Sequence, residues 1–206
     1  MKTIRLTESD LVKLIKRVIN EETSGLGDFI ETLKLKFDMS DELVDFVVTF
    51  IEKSNCQKIE FAGFKYPALG AALHNGVLIN DSVLGRPLEF ALFVIFHEIA
   101  HQYQYKKYGM EKMYEFYNDE ISVEDTAKFM KTIETTADNF ASRKIRELQN
   151  MGLIDGRYVP VEMYKNVPES RLVAFINDIR KKLRERNITS PDDISEFYYN
   201  LIKSNL

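Results

Sequence analysis

From Leu88 to Phe96 the chain is apolar on nearly every side of a helix, and it then runs without a break into His97-Glu98-Ile99-Ala100-His101. A helix with no polar face has no surface on which to lie, so it must be the central buried helix around which the rest of the chain packs. Pro87, at a tolerated first-turn position, and Gly109, just past the end, set its span at about 87–107. Two imidazoles and a carboxylate on such a helix are costly unless they are paired or bind an ion.

Their spacing points to the ion. His97 and His101 stand one turn apart on the same face, so both rings reach one cation. Glu98 lies about 100° round the helix, near enough to touch a metal-bound water without ligating the metal itself. Two imidazoles and one carboxylate suit Zn²⁺ and leave a position open, so one Zn²⁺ per chain is the expected cofactor.

A third ligand is needed. A second long helix is predicted from Ser122, as N-cap with Asp125 at the third position, to about Asn150. Its apolar stripe includes Val123, Ala127, Met130, Ile133, Ala137, Ala141, Ile145 and Leu148, and Glu134 and Asp138 fall within or beside it. An unpaired carboxylate there would be expensive. Ligation by Glu134 removes the cost, and Asp138, one turn on, is placed to accept the second ring N–H of a ligand histidine and orient it.

The remaining pattern is a mostly helical α+β domain with a small sheet. An amphipathic helix is expected over residues 1–22, with Thr7 and Asp10 as a capping box and Leu11, Leu14, Ile15, Val18 and Ile19 on one face. Glu21–Gly27 reads as a linker to a single domain over 23–206. Helices are predicted over about 28–36, 41–53, 168–186 and 191–203, with strands at Lys58–Ala62 and Gly76–Asn80. Residues 63–75 and 151–168 read as irregular.

Composition narrows the partners. A net charge of −4, from 28 Lys+Arg and 32 Asp+Glu, argues against broad nucleic-acid binding. No segment has the ~18 apolar residues of a membrane span, and the N-terminus lacks the continuous apolar run of a signal peptide, so a cytoplasmic protein with no membrane role is expected. The single cysteine, Cys56, rules out an intrachain disulfide and reads as a buried apolar residue.

HEIAH followed by ETTAD on a later helix resembles the gluzincin pattern of zinc metallopeptidases. ETTADNFA is similar to the E-x-x-A-[ND]-x-F-A element of compact ImmA/IrrE-like peptidases, and GVLINDSVLGRPLEFALFVIFHEIAHQY also resembles them. The likeness covers about residues 76–148. It implies a zincin-like minimal metallopeptidase domain in which His97, His101 and Glu134 bind zinc and Glu98 is the general base. The 33 residues from His101 to Glu134, with a Tyr-rich piece at 103–117, are more than that subfamily leads one to expect. Separately, IRLTESDLVKLIKRVINEE resembles a leader of tailed-phage proteins, and Ile19-Asn20-Glu21 resembles the cleavage sites of phage prohead proteases. That likeness implies a packaging or assembly tag, with phage structural proteins as partners of the N-terminal helix.

The expected activity is hydrolysis of a peptide bond in a protein or peptide substrate, by a metal-activated water whose proton Glu98 takes and then delivers to the leaving amine. His74, Tyr103 and Tyr158 are the candidates for a donor to the tetrahedral oxyanion. The strand Gly76–Asn80 is a candidate edge on which an extended peptide would pair. The alternative is a non-catalytic phage virion or assembly protein retaining a zincin-like fold. A regulatory peptidase cutting one repressor-like partner would share the site and differ in substrate.

Overall fold

The computed structural model describes residues 25–64, 68–74, 76–114, 121–160 and 163–203. The amphipathic helix read over 1–22 lies outside them. The described residues form seven helices and three strands, in chain order: α1 (Leu26–Phe37), α2 (Asp41–Lys53), β1 (Lys58–Ala62), β2 (Gly70–Leu73), β3 (Gly76–Asn80), α3 (Leu88–Tyr108), α4 (Met110–Tyr114), α5 (Val123–Asn150), α6 (Glu169–Glu185) and α7 (Pro191–Lys203). A 3-10 turn over Asp81–Gly85 joins β3 to α3.

The helix starts follow local chemistry. Ser40 Oγ accepts the Leu43 N–H at the head of α2, and Ser122 Oγ accepts the Asp125 N–H at the head of α5, each satisfying a donor that the helix leaves free. Gly25, before α1, sits at φ 81°, and a Cβ there would lie 2.6 Å from the Ile59 carbonyl oxygen, so only glycine fits this approach to β1.

The sheet has the order β1-β3-β2, with β1 parallel and β2 antiparallel to β3. β3 is therefore the central strand, and Val77, Leu78 and Ile79 are all buried. This corrects the expectation that Gly76–Asn80 is an edge for peptide pairing: both its edges are already paired. The edge that meets α3 belongs to β2, in a segment read from sequence as irregular.

α3 runs through the middle of the domain, and every residue from Ala91 to Gln102 is buried. Phe96 meets Phe50 of α2 edge-on at 5.0 Å between ring centroids, and Phe29 of α1 stacks on Phe61 of β1 at 4.4 Å. Ala141, Ile145 and Leu148 in the second half of α5 close this main core. The first half of α5 packs instead on α6, through Ala127, Leu172 and Ile176. α6 and α7 then meet α4 through Tyr114, Ile179, Leu183, Ile194 and Phe197. Lys203, on α7, pairs with Glu60 on β1, tying the last helix to the sheet. No described helix is long and apolar enough to cross a membrane.

Candidate metal centre

α3 and α5 cross so that His97, His101 and Glu134 converge. His97 Nε2 lies 3.2 Å from His101 Nε2 and 3.1 Å from Glu134 Oε2, and His101 Nε2 lies 3.5 Å from the same carboxylate oxygen. Ligands about 2.0–2.1 Å from one ion in tetrahedral array stand roughly 3.3 Å from each other, so the three atoms form one face of such an array. Both imidazoles are nearly inaccessible, at 2% for His97 and 8% for His101. Among the described residues this is the one group of three or more His, Cys, Asp or Glu side chains that could hold a metal ion.

The other ring nitrogens are held. His97 Nδ1 lies 2.9 Å from Asp138 Oδ1, while the second oxygen of Asp138 accepts the Tyr164 N–H at 2.9 Å. His101 Nδ1 lies 2.7 Å from Gln104 Oε1, and the Gln104 amide donates onward to the Ile133 carbonyl at 3.0 Å. A carboxylate and an amide oxygen accept only. Each Nδ1 therefore donates, which leaves Nε2 as the nitrogen that faces the other two groups and would bind an ion. Tyr164 also stacks on the His97 ring, with centroids 5.7 Å apart and planes at 16°.

Charge follows the same geometry. Burial opposes a charge on His97, but the hydrogen bonds to Asp138 and Glu134 outweigh it and hold its pKa raised. Burial likewise opposes charge on His101, and Glu134 overrides it upward. The same two histidines overcome the burial of Glu134 and hold its carboxyl far below the ordinary range. Glu98, in contrast, is raised, chiefly by burial.

Glu98 reaches across to β2. Asn80 N–H donates to Leu69 O at 2.9 Å, which makes 69–80, 71–78 and 73–76 the hydrogen-bonded pairs of the β2–β3 ladder. Gly70 and Ala72 thus turn their main-chain groups outward, away from β3. The Ala72 N–H donates to Glu98 and its carbonyl accepts from Tyr105 Oη at 3.4 Å. Gly70 lies flat against the Glu98 carboxylate: a Cβ there would stand 2.5 Å from Glu98 Cγ and 2.6 Å from Oε1. Gln102 fixes the hairpin in place, donating from Nε2 to Leu73 O at 2.8 Å and Gly76 O at 3.1 Å.

A cavity of about 640 Å³ opens over this floor, within the range of pockets for small ligands and peptide segments. His97, Glu98, His101 and Glu134 line it, as does β2 along its length. Of the residues read from sequence, these four and the orienting Asp138 come together. The three oxyanion candidates do not line the cavity. Tyr103 packs between Phe50 and Phe140, with centroids 6.1 and 5.6 Å away. Tyr158 packs against the main core, its buried hydroxyl without a hydrogen-bond partner among the described residues. His74 sits at the end of the hairpin, edge-on to Tyr105. The tyrosines that do line the cavity are Tyr105, Tyr114, Tyr164 and Tyr198. Sequence reasoning missed Gln104, Gly70 and Tyr164. Gln104 alone carried a signal, standing three residues after His101 on the same side of the helix.

Comparison with protein-family models, with curated proteins and with solved structures finds no match.

Proposed function

We propose that this chain is a zinc-dependent metallopeptidase with a zincin-like domain of the gluzincin kind. The observation that carries the reading is the triangle of His97 Nε2, His101 Nε2 and Glu134 Oε2, with both histidines held through Nδ1 so that Nε2 faces the other two groups. The donor set fits the ion: two imidazole nitrogens and one carboxylate oxygen, at tetrahedral spacing, with one side open to a cavity.

A bound Zn²⁺ would supply Lewis acidity, polarising a substrate carbonyl and acidifying a water. The chain's own residues supply the rest. Glu98, adjacent to the ligands but outside the triangle, takes the proton of the attacking water and returns it to the leaving amine. Burial holds its pKa above the ordinary carboxylate value. The outward main-chain groups of Gly70 offer an extended peptide a strand to pair with, beside that carboxylate. Asp138 and Gln104 keep the imidazoles aimed.

A non-catalytic assembly protein would need metal ligands at most; it has no use for a buried carboxylate held over an open cavity beside them. The reading places the enzyme in the cytoplasm, the host's if the chain is phage-encoded, with residues 1–22 as the proposed tie to phage structural proteins. The direct test incubates the protein with candidate protein and peptide substrates, with and without a chelator. Cleavage should stop with the chelator and be absent in Glu98→Gln. Cleavage that survives in Glu98→Gln would refute the assignment.

A further inference from the structure

The connection between α5 and α6 returns across the metal centre. Its residues 163–167 are tied to α5 at two points. The Tyr164 N–H donates to Asp138 Oδ2 at 2.9 Å, and Lys131 Nζ donates to the Val167 carbonyl at 3.3 Å. Lys131, Glu134 and Asp138 follow one another at spacings of three and four, so all three lie on one face of α5. The two ties therefore bracket Glu134. Between them the segment closes on itself, with the Val167 N–H donating to the Tyr164 carbonyl at 3.1 Å. Met163, Tyr164 and Val167 line the cavity.

Tyr164 meets His97 from two directions. Its ring lies offset over the imidazole, with centroids 5.7 Å apart and planes at 16°. Its main-chain N–H holds one oxygen of the carboxylate whose other oxygen holds His97 Nδ1 at 2.9 Å. Asp138 is 1% exposed, so both bonds are shielded from water, where such links are strong and both partners depend on them. A turn of the His97 ring thus disturbs Tyr164 through ring face and carboxylate together, and a shift of Tyr164 disturbs His97 by the same routes.

We propose that residues 163–167 form a strap over the metal centre, with Tyr164 as a positioning residue for His97, so that ordering of the strap and binding of the ion are coupled. The coupling rests on the zinc site of the reading above and not on hydrolysis. It is reciprocal: the factor by which the ordered strap raises metal affinity is the factor by which the bound ion stabilises the strap. Metal occupancy then sets one wall of the cavity, because Met163, Tyr164 and Val167 are fixed together with His97 and loosen together with it. The strap in turn slows escape of the ion.

The experiment takes two readouts on the full chain. Competition with a chromogenic chelator gives Zn²⁺ affinity and release rate for the wild type, Tyr164→Phe, Tyr164→Ala and Lys131→Met, each checked for folding by circular dichroism. Tyr164→Ala keeps the main-chain N–H and loses the ring, so affinity should fall about 10-fold. Tyr164→Phe keeps both and should match the wild type. Lys131 makes its one hydrogen bond among the described residues to Val167, so Lys131→Met frees the far end of the strap without touching a ligand. Release should then quicken about threefold. Hydrogen exchange read by mass spectrometry compares the chelator-treated and Zn²⁺-loaded wild type. Exchange at Tyr164 should slow about 10-fold with the ion, matching the affinity lost in Tyr164→Ala. Exchange at Asp155, earlier in the same connection and bonded to Glu89, should not change. Full affinity in Tyr164→Ala, an equal loss in Tyr164→Phe, unchanged release in Lys131→Met, or Tyr164 exchange indifferent to the ion would overturn the strap and leave the zinc site standing. A wild-type chain that takes up no Zn²⁺ overturns both. Metal-coupled exchange in a protein that cleaves no peptide sinks the peptidase and leaves the strap.

Discussion

On the proposed peptidase reading, replacing Gly70 by alanine should disable the reaction while leaving the proposed metal site intact. The added Cβ would lie 2.5 Å from Glu98 Cγ and 2.6 Å from Oε1, whereas ordinary contacts begin near 3.4 Å. The carboxylate must therefore retreat by about 1 Å. Its neighbours on α3 are fixed by packing, so the side chain swings away from the ligand triangle instead of carrying the helix with it. A displacement of about 1 Å at a reacting group costs on the order of 10²-fold in rate. The three atoms nearest that Cβ all belong to Glu98 and none to His97, His101 or Glu134, so metal content should match wild type. Steady-state kinetics on any cleaved peptide, paired with elemental analysis, reads both quantities: kcat should fall by about 100-fold with KM changed much less. A Gly70→Ala protein with full kcat would show that the position of Glu98 against β2 has no part in catalysis. Loss of the metal would show that β2 supports the ligands.

Asp138→Ala and Gln104→Ala should each weaken metal affinity by roughly 10–100-fold, as measured by competition with a chromogenic chelator, because each frees one imidazole to turn; unchanged affinity in both would refute the orienting role. The raised pKa of His97 makes it a proton competitor of the metal at neutral pH, so uptake should release its proton, and metal affinity should fall as pH falls; calorimetry in buffers of different ionisation enthalpy would detect the release, and none near pH 7 would contradict the assignment. Cys56 is buried and its thiol is pushed up to about 11, so a disulfide reagent at pH 8 should react only as the protein unfolds. Because the unfolded thiol ionises from about 9.0 and the folded one only near 11, the unfolded state holds fewer protons in that window, and stability should fall as pH rises through it.

The parts of the site legible in the sequence are those carried by long helices. His97, Glu98 and His101 share one helix, and Glu134 and Asp138 another, at spacings that fix which side chains share a face before any tertiary contact is known. What joins the helices to a sheet was not legible. Gly70-Ala71-Ala72-Leu73 is four residues of small, non-alternating side chains, so neither β-propensity nor period marks it as a strand. Strand order is a long-range property, which is why β3 read as an edge and proved central. α4, at five residues, is too short to show a period. The tyrosines illustrate helix phase. Tyr103 is two residues past His101, on the opposite side of α3, and packs into the core; Tyr105 is four residues past and reaches the cavity. Tyr164 comes from an irregular connection with no period from which to place it.

The central claim is that His97, His101 and Glu134 form a zinc site with Glu98 beside it and not in it. Elemental analysis of the purified wild-type chain and of Glu98→Gln, His101→Ala and Glu134→Ala, each checked for folding by circular dichroism, tests it most directly. The wild type and Glu98→Gln should each hold about one Zn²⁺ per chain. The folded His101→Ala and Glu134→Ala proteins should lose the metal. Equal metal content in all four, or its loss in Glu98→Gln alone, would contradict it.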